Sequence, residues 1–200
     1  MIYDSDGVLL VLQHWRDVGQ ARWTPLLDTR TLERLAGGGK QESYWPVAVA
    51  QDKFHCIILK GGEKYPYFPR PLLSEFDFKL PLTAKPTAPE AGSSEALEEQ
   101  AMREGLLLSL QQDSTAARVL RSEEQVEMSQ RENTIDRALL QLLMLTCKEE
   151  DHGAKALEVC GLFRQRRTLE IAVKVALKYE RTVLARKIGE LRDEMEMEEE

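Results

Sequence analysis

A change of composition near Pro81–Ser94 divides the 200-residue sequence into two unlike halves. Up to Lys85 the chain holds 11 of its 13 aromatic residues and is nearly neutral, with 11 basic and 10 acidic side chains. After Lys85 the counts are 16 basic and 24 acidic, and Phe163 and Tyr179 are the remaining aromatics. The pattern predicts a mixed fold, β then α, with short strands followed by amphipathic helices. Neither half alone has the make-up of a complete enzyme.

The net charge and the cysteines restrict the class of protein. A net charge of −7 and a pI near 5.2 argue against broad electrostatic binding of nucleic acid. The compact basic run Arg164–Arg167 is interpreted as a solvated loop between helices. Cys56, Cys147 and Cys160 form no CxxC pair and are typical of reduced thiols in the core of an intracellular protein. Because no apolar run approaches the ~18 residues of a membrane span, we expect no membrane contact.

The first half contains four segments typical of strands, and no helix between them. Gln51–Lys53 has the length of a hairpin connection, and the proline-rich Tyr65–Pro71 is predicted to lie extended over a surface. Four strands make roughly one propeller blade, which is marginal alone. We therefore expect a piece of a larger β body whose remainder lies upstream or on another chain. The predicted strands are Val8–Leu12, Trp45–Ala50, His55–Lys60 and Leu73–Leu80.

The second half predicts a small antiparallel helical bundle. Ser93 or Ser94 can cap its first helix, and the capping-box pattern Ser122–Gln125 begins a long helix. Leu139–Leu145 is apolar on nearly every side, which is typical of a central helix. Three shorter helices are predicted at Ala154–Gln165, Thr168–Glu180 and Arg181–Glu196. The predicted domains are an incomplete β-propeller end over 1–82, a linker over 83–93, the helical bundle over 94–197 and an acidic tail over 198–200.

One motif suggests catalysis. Asp4-Ser5-Asp6-Gly7 is similar to the first motif of haloacid-dehalogenase-type phosphatases, in which the first Asp is the nucleophile and the second the acid/base. Only three residues precede Asp4, and no later acidic pair suits Mg²⁺, so the tetrapeptide favours a β-turn. The three histidines lie in different segments without metal-ligand spacing. We expect no enzyme, no cofactor and no metal site.

Several segments together resemble a known family. They are Met1–Leu12, Ser43–Ala50, Tyr65–Leu82 with its Phe68-Pro69-Arg70-Pro71, and Ala138–Leu191 with its Leu145-Thr146-Cys147-Lys148. In this order they resemble the SepB domain of the acidic nucleoplasmic DNA-binding protein family, also called the chromosome transmission fidelity family of replisome adaptor hubs. The resemblance covers nearly the whole chain.

The resemblance implies a fold and a function. It implies a six-bladed β-propeller that closes into a homotrimer, with a helical bundle on each protomer and residues 1–82 as the last propeller strands. It also implies a non-enzymatic nuclear adaptor that couples the replicative helicase, through GINS, to DNA polymerase alpha–primase by capturing short client helices. The sequence contains no WD repeats and no HMG box, so DNA contact is expected to be weak or indirect.

Candidate residues for peptide capture follow from the small side chains of the last helices, which leave shallow grooves for a partner helix. They are Leu157 and Gly161 on one helix, and Leu184, Ala185 and Ile188 on another. The alternative hypotheses are a haloacid-dehalogenase-like phosphatase that uses Asp4 and Asp6, and an unrelated helical interaction scaffold.

Overall fold

Six strands and then five helices follow one another along the chain. The structure, a computed structural model, describes residues 1–32, 42–50, 52–67, 72–80, 90–148 and 153–199. The chain forms two compact units, Met1–Thr87 and Ala88–Glu200, referred to below as the sheet unit and the helical unit. Their boundary falls within the predicted linker. The predicted Phe68–Pro71 strap segment, most of the linker and His152 lie outside the described residues.

The sheet unit contains two three-stranded antiparallel sheets, so the expectation of four strands is corrected to six among the described residues. The strands are β1 Ile2–Tyr3, β2 Val8–Gln13, β3 Arg22–Asp28, β4 Glu42–Ala50, β5 Lys53–Lys60 and β6 Leu73–Asp77. The first sheet has the order β1-β2-β3 and the second β4-β5-β6.

Strand β3 is absent from the sequence-based prediction because it contains Pro25 and lacks regular apolar–polar alternation. The fold tolerates Pro25 there because β3 is an edge strand.

Each central strand contributes buried side chains to the core of the sheet unit. The wholly apolar run Val8–Leu12 predicts a strand buried on both faces, but in β2 Leu9 and Val11 are buried while their neighbours are half-buried, so that expectation is corrected. Phe54 and Cys56 of β5 are fully buried. The rings of Phe54 and Tyr3 stack with centroids 5.3 Å apart, which joins β5 to β1.

The helical unit consists of α1 Ser94–Thr115, α2 Ser122–Lys148, α3 Gly153–Cys160, α4 Arg166–Lys178 and α5 Thr182–Glu199. Ser93 caps α1, because its Oγ accepts a hydrogen bond from the Ala96 N–H at 3.2 Å. At the start of α2 only one half of the predicted capping box forms, one residue earlier, because Arg121 has no side-chain acceptor. Glu124 accepts a hydrogen bond from the Arg121 N–H at 3.0 Å, and the Gln125 N–H bonds the Arg121 carbonyl.

One apolar core holds the five helices together. Residues of α2 occupy the centre of this core, and Leu143 is fully buried. Between Leu139 and Leu145 this helix is apolar on nearly every side. The buried members from the last two helices are Leu169, Ala172, Ala176, Leu184, Ala185 and Ile188. Among the described residues, no helix is long and apolar enough to cross a membrane.

Candidate docking face of the helical unit

Helices α2 and α4 are tied together near the start of α4. The carboxylate of Asp136 accepts hydrogen bonds from the backbone N–H groups of Arg164 at 2.8 Å and Gln165 at 3.2 Å. It accepts a third from the Thr168 hydroxyl at 2.5 Å. Gln165, the residue that precedes α4, makes no side-chain cap of its own. A side chain of α2 therefore holds the backbone just before α4 and places a negative charge beside its first turn.

A second tie joins the same helices near their other ends. Beyond the last residue of α4, Glu180 adopts the left-handed region at φ 61°, and the Arg181 N–H donates a hydrogen bond to the Ala176 carbonyl at 2.9 Å. This Schellman turn places the Arg181 guanidinium 3.4 Å from the Cys147 carbonyl oxygen in the last turn of α2. A cation at the carboxyl end of a helix is favourable. The two ties show that α2 and α4 run side by side in the same direction.

One face of α2 borders α4 and is apolar in its second half. Asn133, Arg137, Leu140 and Met144 recur at i, i+4, i+7 and i+11, so they lie on one side of the helix. The Asn133 Oδ1 accepts a hydrogen bond from the Arg167 guanidinium at 2.5 Å, which places this side next to α4. Met144 is 37% exposed, and Leu140 is partly buried against the core.

The neighbouring face of α4 repeats the pattern. Arg167, Ile171, Lys174 and Lys178 follow the same spacing, and Val175 lies beside them, four residues after Ile171. Ile171 is 46% exposed and Val175 is partly buried against the core. Lys174 and Lys178 are exposed, and within the described residues neither has an acidic partner within 4 Å.

These residues define what we call the α2–α4 face. It comprises the apolar row Leu140, Met144, Ile171 and Val175 and the basic rim Arg137, Arg167, Lys174 and Lys178. In the sequence, Asp136 precedes the four residues of the apolar row and Arg181 follows them, and these two residues make the two ties. Cys147 lies eleven positions after Asp136 on α2, about 16 Å along the helix. The face can therefore accommodate about three turns of a partner helix.

The charge of this region differs from that of the rest of the chain. Between residues 164 and 187 there are eight basic and two acidic side chains, a local charge of +6, whereas the whole chain carries −7. The loop interpretation of Arg164–Arg167 is correct for Arg164 and Gln165, but Arg166 and Arg167 begin α4. An apolar row with a basic rim suits a partner helix that carries both apolar and acidic side chains.

The structure places most of the sequence-predicted peptide-contact residues in the core. Leu184, Ala185 and Ile188 are 8%, 6% and 0% exposed. Leu157 is partly buried against the same core, and Gly161 is exposed just after α3. These side chains do not form one open surface, and a partner could reach Ile188 only if the core opened. Their role in peptide capture stays a prediction.

Sequence reasoning missed the α2–α4 face, although one signal pointed to it. The stretch Leu139–Leu145 has more apolar surface than one core-facing stripe needs. Leu139, Leu142 and Leu143 enter the core, whereas Met144 is left outside. Ile171 on α4 is the corresponding surplus residue. An apolar residue outside the core stripe on each of two neighbouring helices is therefore what indicates a docking face.

The acidic pair near the start of the chain forms a turn. The Asp4 Oδ1 accepts hydrogen bonds from the N–H groups of Asp6 at 3.0 Å and Val8 at 2.8 Å. Gly7 has φ 83°, and a Cβ there would lie 2.7 Å from the Thr29 Oγ1. The β-turn interpretation is confirmed. In the part of the chain that the structure describes, no three His, Cys, Asp or Glu side chains are grouped as metal ligands.

The three cysteines are free thiols in the two cores, as the sequence predicted. Burial raises the pKa of the Cys56 thiol to about 11 and that of the Cys160 thiol to about 12. Thiols with such pKa values contain little thiolate at neutral pH and react slowly. Cys147 also has a raised pKa because of its burial, although the nearby Arg181 opposes the shift.

Comparison with known proteins assigns both units. Residues 95–198 match the family model "DNA polymerase alpha-binding protein Ctf4, C-terminal domain", and residues 1–82 match "Minichromosome loss protein, Mcl1, middle region". The first of these matches covers more than half of the chain. The chain belongs to the Ctf4/Mcl1 family. Residues 1–82 lie in the sheet unit, and residues 95–198 lie in the helical unit.

Individual relatives agree with this assignment. The chain is 46% identical over 191 residues to minichromosome loss protein 1 of Schizosaccharomyces pombe, which covers 95% of the chain and 23% of that protein. It is 29% identical to the DNA polymerase alpha-binding protein of Saccharomyces cerevisiae, over 96% of the chain and 24% of that protein. It is 30% identical to the human WD repeat and HMG-box DNA-binding protein 1, over 94% and 15%.

The chain thus spans about a quarter or less of the length of these relatives. Two of these three relatives are named as binding proteins, and none of the three names describes an enzyme.

Proposed function

We propose that this chain is the client-docking part of a non-enzymatic replisome adaptor, and that its α2–α4 face binds a short helix of DNA polymerase alpha. The observation that carries the proposal is the exposed apolar row between two tied helices, rimmed by cations, in a unit that matches a polymerase alpha-binding family. The S. cerevisiae relative is itself named for binding this polymerase.

The physical argument concerns what the face offers a partner. Ile171 and Met144 expose apolar surface to water. Removing such surface from water is favourable by about 25 cal/mol per Å². A helix laid along the face would bury that surface. Acidic side chains on its flanks would approach Lys174 and Lys178, which speeds association and selects against basic partners.

The longer protein is proposed to do more than this chain shows. We propose that it also binds GINS, and so links the replicative helicase to polymerase alpha–primase in the nucleus. The sheet unit would complete a β-propeller with further strands of the same polypeptide, and three such propellers would assemble as a homotrimer. A trimer would present three α2–α4 faces, and so could hold different clients at once.

The test is a direct binding measurement with purified DNA polymerase alpha catalytic subunit from the same organism. Surface plasmon resonance on the wild-type chain, Met144→Glu and Ile171→Glu gives the dissociation constants. Each substitution places an anion in the apolar row, so we expect at least a tenfold loss of affinity. Val183→Glu, an exposed substitution on α5 outside the face, is the matched control and should bind as the wild type does.

Two results would contradict the proposal. One is a wild-type chain that does not bind the polymerase subunit at micromolar concentration. The other is binding by Met144→Glu and Ile171→Glu that equals the binding of Val183→Glu. Raising the salt concentration should weaken wild-type binding and should affect Lys174→Glu less, because that variant has already lost part of the charge attraction.

A further inference from the structure

Asp136 combines deep burial with an unusual set of partners. At 3% exposed, it is the one ionisable side chain among the buried polar residues that the structure describes. The three hydrogen-bond donors to its carboxylate belong to the segment Arg164–Thr168, 28 to 32 residues further along the chain. A buried carboxylate is costly to maintain unless each oxygen is hydrogen-bonded, and here both oxygens are. Its hydrogen bonds therefore fix one segment against another.

The segment that Asp136 holds would start a helix poorly by itself. The first turn of α4 contains Arg166 and Arg167 and no acidic residue, although cations are unfavourable at the amino end of a helix. Gln165 provides no side-chain cap. The Asp136 carboxylate of α2 supplies the missing negative charge, and it accepts hydrogen bonds from the Gln165 N–H and the Thr168 hydroxyl beside the first turn. The position at which α4 begins is thus set by α2.

The position of α4 along α2 decides whether the α2–α4 face exists. One helical residue corresponds to about 1.5 Å of rise and 100° of rotation. A shift of α4 by one residue would rotate Ile171 and Val175 out of the row that they form with Leu140 and Met144. Apolar packing alone tolerates such shifts, because many apolar contacts are interchangeable. Hydrogen bonds with fixed partners are not interchangeable in this way.

We propose that Asp136 is a positioning residue of the docking face: its hydrogen bonds to Arg164, Gln165 and Thr168 hold α4 in the register that joins the apolar rows of α2 and α4. This inference rests on the proposed function, since it concerns how the same face is made ready for its partner. Asp136 itself does not contact the partner. Arg181 at the opposite end of α4 makes the complementary tie to α2.

The test measures the register of α4 along α2 separately from the affinity for the partner. Spin labels are attached to Gln141→Cys on α2 and Lys174→Cys on α4, both exposed, and their distance distribution is measured by double electron–electron resonance. The native cysteines are buried, with raised pKa values, and label slowly. The same background then carries Asp136→Asn, which keeps the side-chain shape but replaces one acceptor oxygen by a donor.

The control is Thr146→Val. Thr146 is a buried polar residue of the same helix, but its hydroxyl bonds the Leu142 and Leu143 carbonyls of α2 itself. It therefore removes a buried polar group without cutting a tie to α4. Thr168→Val is a milder second variant, because it removes one of the three hydrogen bonds and leaves the backbone donors in place. It keeps the experiment decisive if Asp136→Asn does not fold.

We expect the distance distribution to broaden or shift in Asp136→Asn, to change less in Thr168→Val and to stay unchanged in Thr146→Val. In unlabelled proteins the affinity for the polymerase alpha catalytic subunit should fall at least tenfold in Asp136→Asn, and by less than twofold in Thr146→Val. An unchanged distance distribution in Asp136→Asn overturns the inference, and so does a changed distribution with unchanged affinity. If the wild-type chain does not bind the polymerase, the proposed function fails, and the distance measurement still decides whether Asp136 sets the register.

Discussion

The two units differ in how they bury and expose their apolar side chains. In the sheet unit, Trp15, Trp23, Trp45 and Tyr65 remain largely exposed, and both sheets have only three strands among the described residues. In the helical unit one core includes residues of all five helices, and the apolar side chains outside it, Met144 and Ile171 among them, are spread over several helices. Small sheets have little interior, whereas five helices enclose one. Exposed apolar residues are therefore more informative about binding in the helical unit.

The largest expected effect tests the boundary between core and surface on α5. Ile188→Glu places a charge at a fully buried site without a partner, so the helical unit should lose about 3–5 kcal/mol and much of its cooperative unfolding. Helical circular dichroism during urea titration measures this loss. Val183→Glu, on the same helix but 63% exposed, should unfold as the wild type does. A folded Ile188→Glu that has lost polymerase binding would instead favour Ile188 as a contact residue.

The second prediction concerns the core of the sheet unit. Phe54→Ala removes a fully buried ring and its stacking on Tyr3, and should cost that unit about 3–5 kcal/mol. All three tryptophans lie in the sheet unit, so tryptophan fluorescence follows its unfolding separately from the helical signal. Tyr65→Ala, at a 71% exposed ring, is the control and should change stability little. Equal effects of the two substitutions would contradict the assignment of the core.

The smallest expected effect concerns acid. Hydrogen bonds from Arg118 and Arg121 hold the pKa of Glu124 well below its ordinary value of 4.5. Because the folded pKa is lowered, its contribution is present above the unfolded pKa and is lost as the pH falls through the folded one. Glu124→Gln should therefore reduce the loss of helical stability below pH 4.5. The measurement is urea unfolding from pH 6 down to about pH 2; identical pH curves would contradict it.

Much of the helical unit could be predicted from sequence because its signals are local. Ser93 was a predicted cap and does cap α1, and the stretch around Leu139–Leu145 contributes to the core as expected. Helix bounds differ where a contact distant in sequence intervenes. Helix α3 ends at Cys160, five residues before the prediction, because Asp136 holds the backbone of Arg164 and Gln165 outside the helix.

The sheet unit was less predictable for a related reason. The strand Arg22–Asp28 lacks regular alternation and contains Pro25, so nothing local identifies it. It forms because β2 offers a partner edge, with hydrogen bonds that no single strand can make. Pairing partners are set by the whole sheet and not by the segment.

The sequence by itself determined the division into a sheet unit and a helical unit, the turn at Asp4–Gly7 and the resemblance to a family that the comparisons then showed. The tertiary structure alone decided which apolar residues form the core and which form a surface. Ile188 and Ile171 both belong to amphipathic helices, yet the first is fully buried and the second is 46% exposed. The reason is that periodicity places a residue on a face of its own helix, whereas burial depends on which neighbouring helix covers that face.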